Sequence, residues 1–289
     1  MTAPITPDIE VLRDRIRRAS EIRASIGTEW GEYLDRHPRR FGLVHADVDG
    51  QWTFVINTVE PMPARISTLF GVWLYLLRAA LDGTAYHLAV RDSGQNPPPN
   101  ERNIYFPIKL DPAKYDSQGH RDNLKALSDT TFADLRIVQP FNAQPDHLSN
   151  ALWWVEELAR IDRHRGGHAL AAHVDKVRVG LRKPLTLVKN YLPQLATGRV
   201  PVDESAPMPI LDLRAPADFD ELTVREHMDI SNAVETVLDV TEWAANATKP
   251  MASDELHMRM GMCEFFLREG IIEPLLTGET QKLSPSAAP

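Results

Sequence analysis

Residues 64–90, ARISTLFGVWLYLLRAALDGTAYHLAV, decide the fold class because they carry the strongest helical pattern in the chain. Large apolar residues recur along this stretch at helical spacing: Phe70, Trp73, Leu74, Leu77, Leu81 and Leu88. A helix with so broad an apolar stripe has to be covered by other elements. We therefore expect residues 64–90 to form a central helix of a bundle.

A second central helix is predicted over residues 146–165. Its apolar residues cover much of the helix circumference: Leu148, Leu152, Trp154, Val155, Leu158, Ala159 and Ile161. Because a helix that is apolar on most sides is buried, we expect this one to pack beside residues 64–90.

Residues 6–26 predict a long N-terminal helix with a narrow apolar seam. The seam consists of Ile9, Leu12, Ile16, Ala19, Ile22 and Ile26. Five arginines surround it and are read as a solvated face. A seam of this width packs on a partner helix, either within the chain or across a homodimer.

Residues 41–59 predict a β-hairpin. Asp49-Gly50 is a strong two-residue turn, and the residues on both sides favour strands. This turn places Leu43 opposite Ile56 and puts most large side chains on one face.

The C-terminal third contains shorter elements. Pro184 interrupts residues 174–195, and four prolines around residues 210–213 indicate a linker or an edge strand. Helical spacing predicts one helix over residues 231–245 and another that begins at Ser253.

These elements together predict a mainly α fold of the α+β class. It is a helical bundle built on two central helices, about 64–90 and 146–165, with a long N-terminal helix, a β-hairpin and a few short strands. We expect residues 1–200 to form a helical core domain and residues 201–277 to form a C-terminal helical extension packed on it. Residues 278–289 read as a disordered tail.

Composition excludes several classes of protein. The 289 residues include a single cysteine, which excludes an internal disulfide and fits a reducing compartment. A formal net charge of −8 argues against broad DNA binding, which neutralises many phosphates. No signal peptide is visible, and the apolar run over residues 66–77 is too short to span a membrane. We predict a cytoplasmic protein without a membrane segment.

Polar residues on the two central helices form the main candidate site. Arg78 and Asp82 lie one helical turn apart, with Tyr75 and Tyr86 on the same flank, and Asp162 falls within the apolar stripe of the second helix. A buried carboxylate requires a partner, so we predict that Asp162 pairs with Arg78. The resulting network binds a substrate or specifies how the helices pair.

Four residues at the end of the second helix are candidate catalytic residues: Arg163, His164, Arg165 and His168. Arg163 precedes His168 by five residues, and this Arg-x4-His spacing resembles that of HEPN-type ribonucleases, which are helical-bundle proteins. The resemblance implies metal-independent RNA cleavage. In that chemistry a histidine moves the proton of the 2′-hydroxyl and an arginine stabilises the charged phosphorane.

A zinc site is the alternative to these catalytic roles. His164 and His168 are one turn apart with Glu157 on the same side, which is a spacing that can bind zinc. The glycines at 166 and 167 weaken the helix that would fix this spacing, and no glutamate follows His164 as in zinc proteases. We predict no metal and no cofactor.

Four motifs in order resemble those of a widespread bacterial family of uncharacterised proteins. They are LRAALD at residues 77–82, Phe106-Pro107-Ile108, Gln139-Pro140-Phe141, and DRHR at residues 162–165. The resemblance covers about residues 1–170 and implies a polar signature of Arg78, Asp82, Asp162, His164 and Arg165. Where that family has histidine and lysine, this chain has Gly83 and Arg163. The resemblance brings no activity with it.

Two functions fit these patterns. One is a HEPN-like metal-independent ribonuclease, or a protein that binds RNA or a nucleotide, in which the Arg/His/Asp cluster acts on the ligand. The other is a non-catalytic helical protein that binds a small anionic ligand or forms a homodimer, with the cluster as a structural network. An open, positive cleft favours an anion or RNA site, whereas a closed, fully paired cluster favours the structural role.

Overall fold

The structure is a computed structural model that describes residues 9–46, 48, 50–165, 170–196, 198–230, 234–252 and 255–285. The chain forms two compact units. Unit 1 consists of Met1–Gly27, Ser67–His168 and Asn246–Pro289, and unit 2 consists of Thr28–Ile66 and Ala169–Ala245. Each unit is therefore assembled from separate segments, whereas the predicted division at residues 200 and 277 is linear.

The fold is mainly α within the α+β class, as predicted. The helices of the described residues are α1 Ile9–Asp35, α2 Ala64–Ser93, α3 Pro112–Tyr115, α4 Gln118–Asn123, α5 Asp129–Ile137, α6 Ala151–Arg165, α7 Glu221–Glu226, α8 Thr241–Asn246, α9 Leu256–Leu267 and α10 Glu273–Thr277. A π-helical turn, Arg268–Ile272, joins α9 to α10. Short 3₁₀ turns connect several of these helices.

The core of unit 1 forms around α2 and α6, the two helices that periodicity places at the centre. The α2 residues Phe70, Trp73, Leu77, Leu81 and Leu88 are fully buried. On α6, Leu152, Val155 and Leu158 are buried as well. The α6 helix begins later than predicted because Asp146 accepts a hydrogen bond from the Leu148 backbone N at 2.9 Å and caps a 3₁₀ turn instead.

By length and composition alone, α2 is long and apolar enough to cross a membrane. The central helix of a water-soluble protein meets the same criteria, because its apolar stripe is covered by neighbouring elements. The predicted absence of a membrane segment and the predicted cytoplasmic location therefore stay predictions.

Unit 2 contains the strands. They are β1 Arg39–His45, β2 Gln51–Thr58, β3 Leu170–Val177, β4 Gly180–Leu181, β5 Thr186–Asn190, β6 Val200–Pro201, β7 Met208–Arg214, β8 Met228–Asp229 and β9 Val234–Val240. These strands form a sheet of order β1-β2-β7-β5, a second sheet of order β6-β3-β9 and a β4-β8 pair. The two larger sheets enclose an apolar core that includes Phe54, Val174 and Leu213.

The β1–β2 hairpin forms where it was predicted but in a different register. Leu43 lies opposite Phe54 rather than Ile56, because the connection is longer than two residues and closes with a hydrogen bond from Ala46 N to Gln51 O. The two-residue offset is even, so the same side chains still face the core. The predicted Asp49-Gly50 turn falls partly outside the described residues.

Residues 234–240 are strand β9, so the predicted helix over residues 231–245 is wrong for this segment. β9 pairs antiparallel with β3, with Leu238 opposite Ala172. The sequence VETVLDV is rich in β-branched residues, which pack well on a pleated surface and lose χ1 freedom in a helix. Helical spacing alone misled the prediction because a strand of seven residues also matches part of a helical pattern.

Strand β7 is an interior strand, so the prediction of a linker or an edge strand for residues 210–213 is wrong. β7 lies between β2 and β5. Pro209 is tolerated because the register between β2 and β7 shifts at Phe54/Val55, where Pro209 lies opposite Val55. At such a bulge a residue without an N–H can be accommodated.

Candidate functional site

An open cavity of about 530 Å³ lies in unit 1 along one face of α2. The α2 residues that line it recur at helical spacing: Gly71, Leu74, Tyr75, Arg78, Ala79, Asp82, Gly83 and Tyr86. The remaining lining residues are Arg15 of α1, Ile104, and Ala159, Asp162 and Arg163 of α6. From residue 71 to residue 86 a helix rises about 22 Å, so the cavity is elongated along α2.

The predicted polar-network residues all line this cavity: Tyr75, Arg78, Asp82, Tyr86 and Asp162. Of the candidate catalytic residues, Arg163 lines it too and is exposed. His168 and the side chains of His164 and Arg165 lie outside the described residues. The HEPN-type spacing and the predicted catalytic group therefore stay predictions.

On the cavity wall, the positive charge of Arg78 is neutralised by two carboxylates, those of Asp82 and Glu156. Its Nη2 lies 3.0 Å from Asp82 Oδ1 and donates a hydrogen bond to Phe106 O at 2.9 Å. Its Nη1 lies 3.0 Å from Glu156 Oε2, an ion pair in which the two atoms are buried but not aligned for a hydrogen bond. Asp82 Oδ1 also accepts a hydrogen bond from Phe106 N at 2.9 Å. The pair thus clamps both backbone groups of Phe106 and fixes the Phe-Pro-Ile segment to α2.

The predicted pair between Arg78 and Asp162 is not formed. A Cβ atom on Gly71 would lie 2.9 Å from Asp162 Oδ2, so the carboxylate of α6 is packed against the backbone of α2 at that residue. Gly71 precedes Arg78 by seven residues, which is about 10 Å along a helix. The two helices therefore bring Asp162 to a different level of α2 from the one that periodicity suggested.

Arg15 is the cavity residue that the sequence patterns missed. Its Nη1 donates a hydrogen bond to Ala79 O at 2.6 Å, and the side chain is half-buried. Within the described ranges, no carboxylate lies close enough to form an ion pair with it. A guanidinium has five N–H donors, so this arginine keeps donors for another partner.

Gly83 makes room for this arrangement. A Cβ atom there would lie 2.5 Å from Leu12 Cδ2 and 3.1 Å from Arg15 Nη1. Only a residue without a side chain lets α1 approach α2 closely enough for Arg15 to reach Ala79. No sequence signal identifies Arg15 itself, because it looks like the other arginines around the α1 seam.

Arg163 is a second cavity arginine without a carboxylate partner among the described residues. It lies on α6 next to Asp162, whose negative charge is at the Gly71 end of the cavity. Arg15 contacts α2 at Ala79, eight residues further along and about 12 Å away. Arg15 therefore lies well away from Asp162 along α2, and the nearest cavity carboxylate in the described chain, Asp82, is already paired with Arg78.

The two tyrosines of the cavity differ in environment. Tyr86 donates a hydrogen bond to Asn96 Oδ1 at 3.4 Å, and burial raises its pKa, with the negative charge of Glu101 adding to the effect. Tyr75 is 69% exposed. The Tyr86 hydroxyl is thus hydrogen-bonded within the protein, whereas most of the Tyr75 side chain is exposed to solvent.

A larger groove of about 910 Å³ lies in unit 1 between α1 and the helices α9 and α10. Its arginines are all compensated: Arg13 pairs with Glu10 and Glu273, Arg17 with Asp14 and Glu21, Arg23 with Glu264, and Arg268 with Glu269. Because every cation there already has a carboxylate, the smaller cavity along α2 is the better candidate for a ligand site.

A metal site gains no support from the described part of the chain. No group of three histidine, cysteine, aspartate or glutamate side chains is arranged there to hold a metal ion. Glu157, the carboxylate of the zinc spacing, lies 2.6 Å from Arg160 in an ion pair. Cys263 is buried, and burial raises the pKa of its thiol far above the usual range, which makes it a poor ligand and nucleophile.

Comparison of the chain with protein-family models, curated proteins and solved structures finds no match. The resemblances to the bacterial family and to HEPN-type ribonucleases therefore stay predictions. The case for a function rests on the chemistry of the α2 cavity.

Proposed function

We propose that the protein binds a small anionic molecule in the cavity along α2. The observation that carries this proposal is the state of Arg15. Arg15 is half-buried on the cavity wall, and its guanidinium makes one hydrogen bond, to Ala79 O, without a carboxylate partner in the described part of the chain. Partial burial costs a charged group solvation, and an anionic ligand compensates that cost.

Electrostatics favours an anion at this place over a neutral ligand. Hydrogen bonds to charged groups contribute about 1.5–3 kcal/mol, roughly twice as much as neutral ones. The fork of the Arg15 guanidinium suits carboxylate and phosphate groups, which accept two parallel hydrogen bonds. Arg78 contributes less, because Asp82 and Glu156 already neutralise it.

A HEPN-like ribonuclease, or a protein that binds RNA or a nucleotide, is the second candidate. The observation that favours it is Arg163, which is exposed on the cavity and is the arginine of the predicted Arg-x4-His spacing. The compensated state of Arg78 weighs against it, because an arginine with two carboxylate partners has little charge left to stabilise a phosphorane.

The binding proposal is tested by calorimetric titration of the pure protein with inorganic phosphate, phenyl phosphate and benzoate. We expect millimolar or tighter binding of at least one anion, weakened about 10-fold or more by Arg15→Gln. Arg17→Gln is the matched control, since Arg17 lies on the same helix and pairs with Asp14 and Glu21. Absence of binding by all three probes, or equal binding by Arg15→Gln, would overturn the proposal.

The ribonuclease candidate is tested separately, by incubating RNA with the pure protein in the presence and absence of a chelator. The binding proposal expects intact RNA. Chelator-resistant cleavage that disappears in His164→Ala and in Arg163→Ala would establish the second candidate instead. Cleavage that persists in both variants would point to a contaminating nuclease.

A further inference from the structure

Tyr75 is an aromatic side chain that lines the cavity and makes no hydrogen bond or ring contact with the described residues. It is 69% exposed. A large ring that lies on a cavity wall with so much surface in water gains free energy if a ligand covers it.

The position of Tyr75 relates it directly to Arg15. Tyr75 and Ala79 are four residues apart on α2, and side chains at this spacing lie on the same face with Cβ atoms about 5–6 Å apart. Ala79 provides the carbonyl that holds the Arg15 guanidinium. Arg15 Nη1 would also lie 3.1 Å from a Cβ atom on Gly83, so the guanidinium lies one to two helical turns from Tyr75 along the same cavity lining, about 6–12 Å along the helix axis.

Apolar side chains also line this cavity, beside the paired Arg78 and Asp82. Leu74 is buried yet lines the cavity, and Ile104 and Ala159 contribute further apolar surface. Apolar surface combined with a few well-placed polar groups is typical of sites for small organic ligands. A ligand that consisted of the anion alone would leave both these walls and Tyr75 uncovered.

We propose that the ligand is an aromatic anion: a planar ring that stacks on Tyr75 and carries a phosphate or carboxylate that pairs with Arg15. This inference rests on the proposed function, because it names the class of molecule that the cavity binds. In this proposal Tyr75 contacts the ring of the ligand and Arg15 pairs with its negative charge, so substitution of either residue removes a different contribution to the binding affinity.

The experiment compares phenyl phosphate with inorganic phosphate by calorimetric titration of wild type, Tyr75→Leu, Tyr75→Phe and Arg15→Gln. We expect wild type to bind phenyl phosphate several-fold more tightly than phosphate. Tyr75→Leu should weaken phenyl phosphate about 2- to 13-fold, which is the range of a lost aromatic pair, and leave phosphate unchanged. Tyr75→Phe should keep the wild-type preference. Tyr105→Leu, a change outside the cavity lining, is the matched control.

The outcomes separate this inference from the proposed function. Equal binding of the two probes to wild type, or unchanged phenyl phosphate binding in Tyr75→Leu while Arg15→Gln weakens both probes, would overturn the aromatic assignment alone. Failure of both probes to bind wild type would overturn the assignment together with phosphate binding at Arg15. Tyr75 is exposed, so its variants are expected to fold.

Discussion

Gly83 of α2 and Leu12 of α1 lie so close together that a Cβ atom on Gly83 would be 2.5 Å from Leu12 Cδ2. Leu12 is only 2% exposed, so it has no free space into which to move. This approach sets the distance at which Arg15 reaches Ala79. Any side chain at Gly83 would therefore press against α1.

We predict that Gly83→Ala destabilises the protein by about 1–2 kcal/mol. Overpacking a buried contact costs about 1–3 kcal/mol, and the better helix propensity of alanine returns up to about 1 kcal/mol. Gly27→Ala is the control, because a Cβ atom at Gly27 meets nothing within 4 Å, so that variant should gain stability. Urea unfolding measures both changes. Equal stabilisation by the two substitutions would show that α1 tolerates displacement.

The central helices could be predicted because their evidence is local. The apolar residues of α2 recur at a spacing that only a helix brings to one face, and Phe70, Trp73 and Leu77 are indeed fully buried. Strand β9 could not be predicted, because its stability comes from pairing with β3, and Leu238 lies 66 residues from its partner Ala172. A segment stabilised by so distant a neighbour carries little of that information in its own sequence.

The candidate site could be predicted only in part for the same reason. Helical spacing placed Tyr75, Arg78, Asp82 and Tyr86 on one flank of α2, and all of them line the cavity. Arg15 was missed because its role depends on how closely α1 approaches α2. That approach is set by a glycine, and a glycine within a helix has no distinctive signal of its own.

Glu264 provides a second test of the core of unit 1. It is 6% exposed and accepts hydrogen bonds from Trp73 Nε1 at 2.8 Å and from Arg23 Nε at 3.0 Å. We predict that Glu264→Ala lowers the free energy of unfolding by about 3 kcal/mol, because it leaves the half-buried Arg23 without its carboxylate and the buried Trp73 N–H without its acceptor. Glu21→Ala, which removes an exposed carboxylate, should cost about 1 kcal/mol or less. A similar loss in both variants would contradict the importance of burial here.

From the buried position of His120 we predict that the free energy of unfolding depends on pH. Burial lowers the pKa of its imidazole, although a hydrogen bond to Tyr115 O at 2.7 Å acts in the opposite direction. The unfolded chain therefore takes up a proton at a pH where the folded protein does not. The stability from this group is fully present above about pH 6.5 and is lost as the pH falls toward the folded-state pKa.

The measurement is the free energy of unfolding of wild type and His120→Phe between pH 8 and pH 5. Phenylalanine keeps the ring packing against Tyr115 and Phe132 but does not titrate. We expect wild type to lose more stability than the variant on acidification below about pH 6.5. Each curve is compared with its own value at pH 8, because the His120→Phe variant lacks the hydrogen bond to Tyr115 O at every pH. Parallel curves for the two proteins would show that His120 does not titrate differently on folding.

The last prediction separates Arg78 from Arg15, two of the three described arginines that line the cavity: we assign a structural role to Arg78 and propose that Arg15 binds the ligand. Arg78 is 12% exposed at its side chain and contacts Asp82, Glu156 and Phe106 O together. A lysine offers one ammonium group and cannot reproduce this fork, so we expect Arg78→Lys to cost about 1–2 kcal/mol of stability. Arg15→Lys removes a guanidinium whose single bond goes to Ala79 O, and we expect a smaller loss of about 1 kcal/mol or less.

Amide hydrogen exchange at Phe106 distinguishes these effects further. The Phe106 N–H is held by Asp82 Oδ1, which Arg78 positions, so exchange should accelerate in Arg78→Lys and stay at the wild-type rate in Arg15→Lys. Anion affinity should show the opposite pattern, since the ligand would contact Arg15 and not the neutralised Arg78. If Arg78→Lys weakened anion binding as strongly as Arg15→Lys while Phe106 exchange stayed slow, the roles assigned to the two arginines would have to be exchanged.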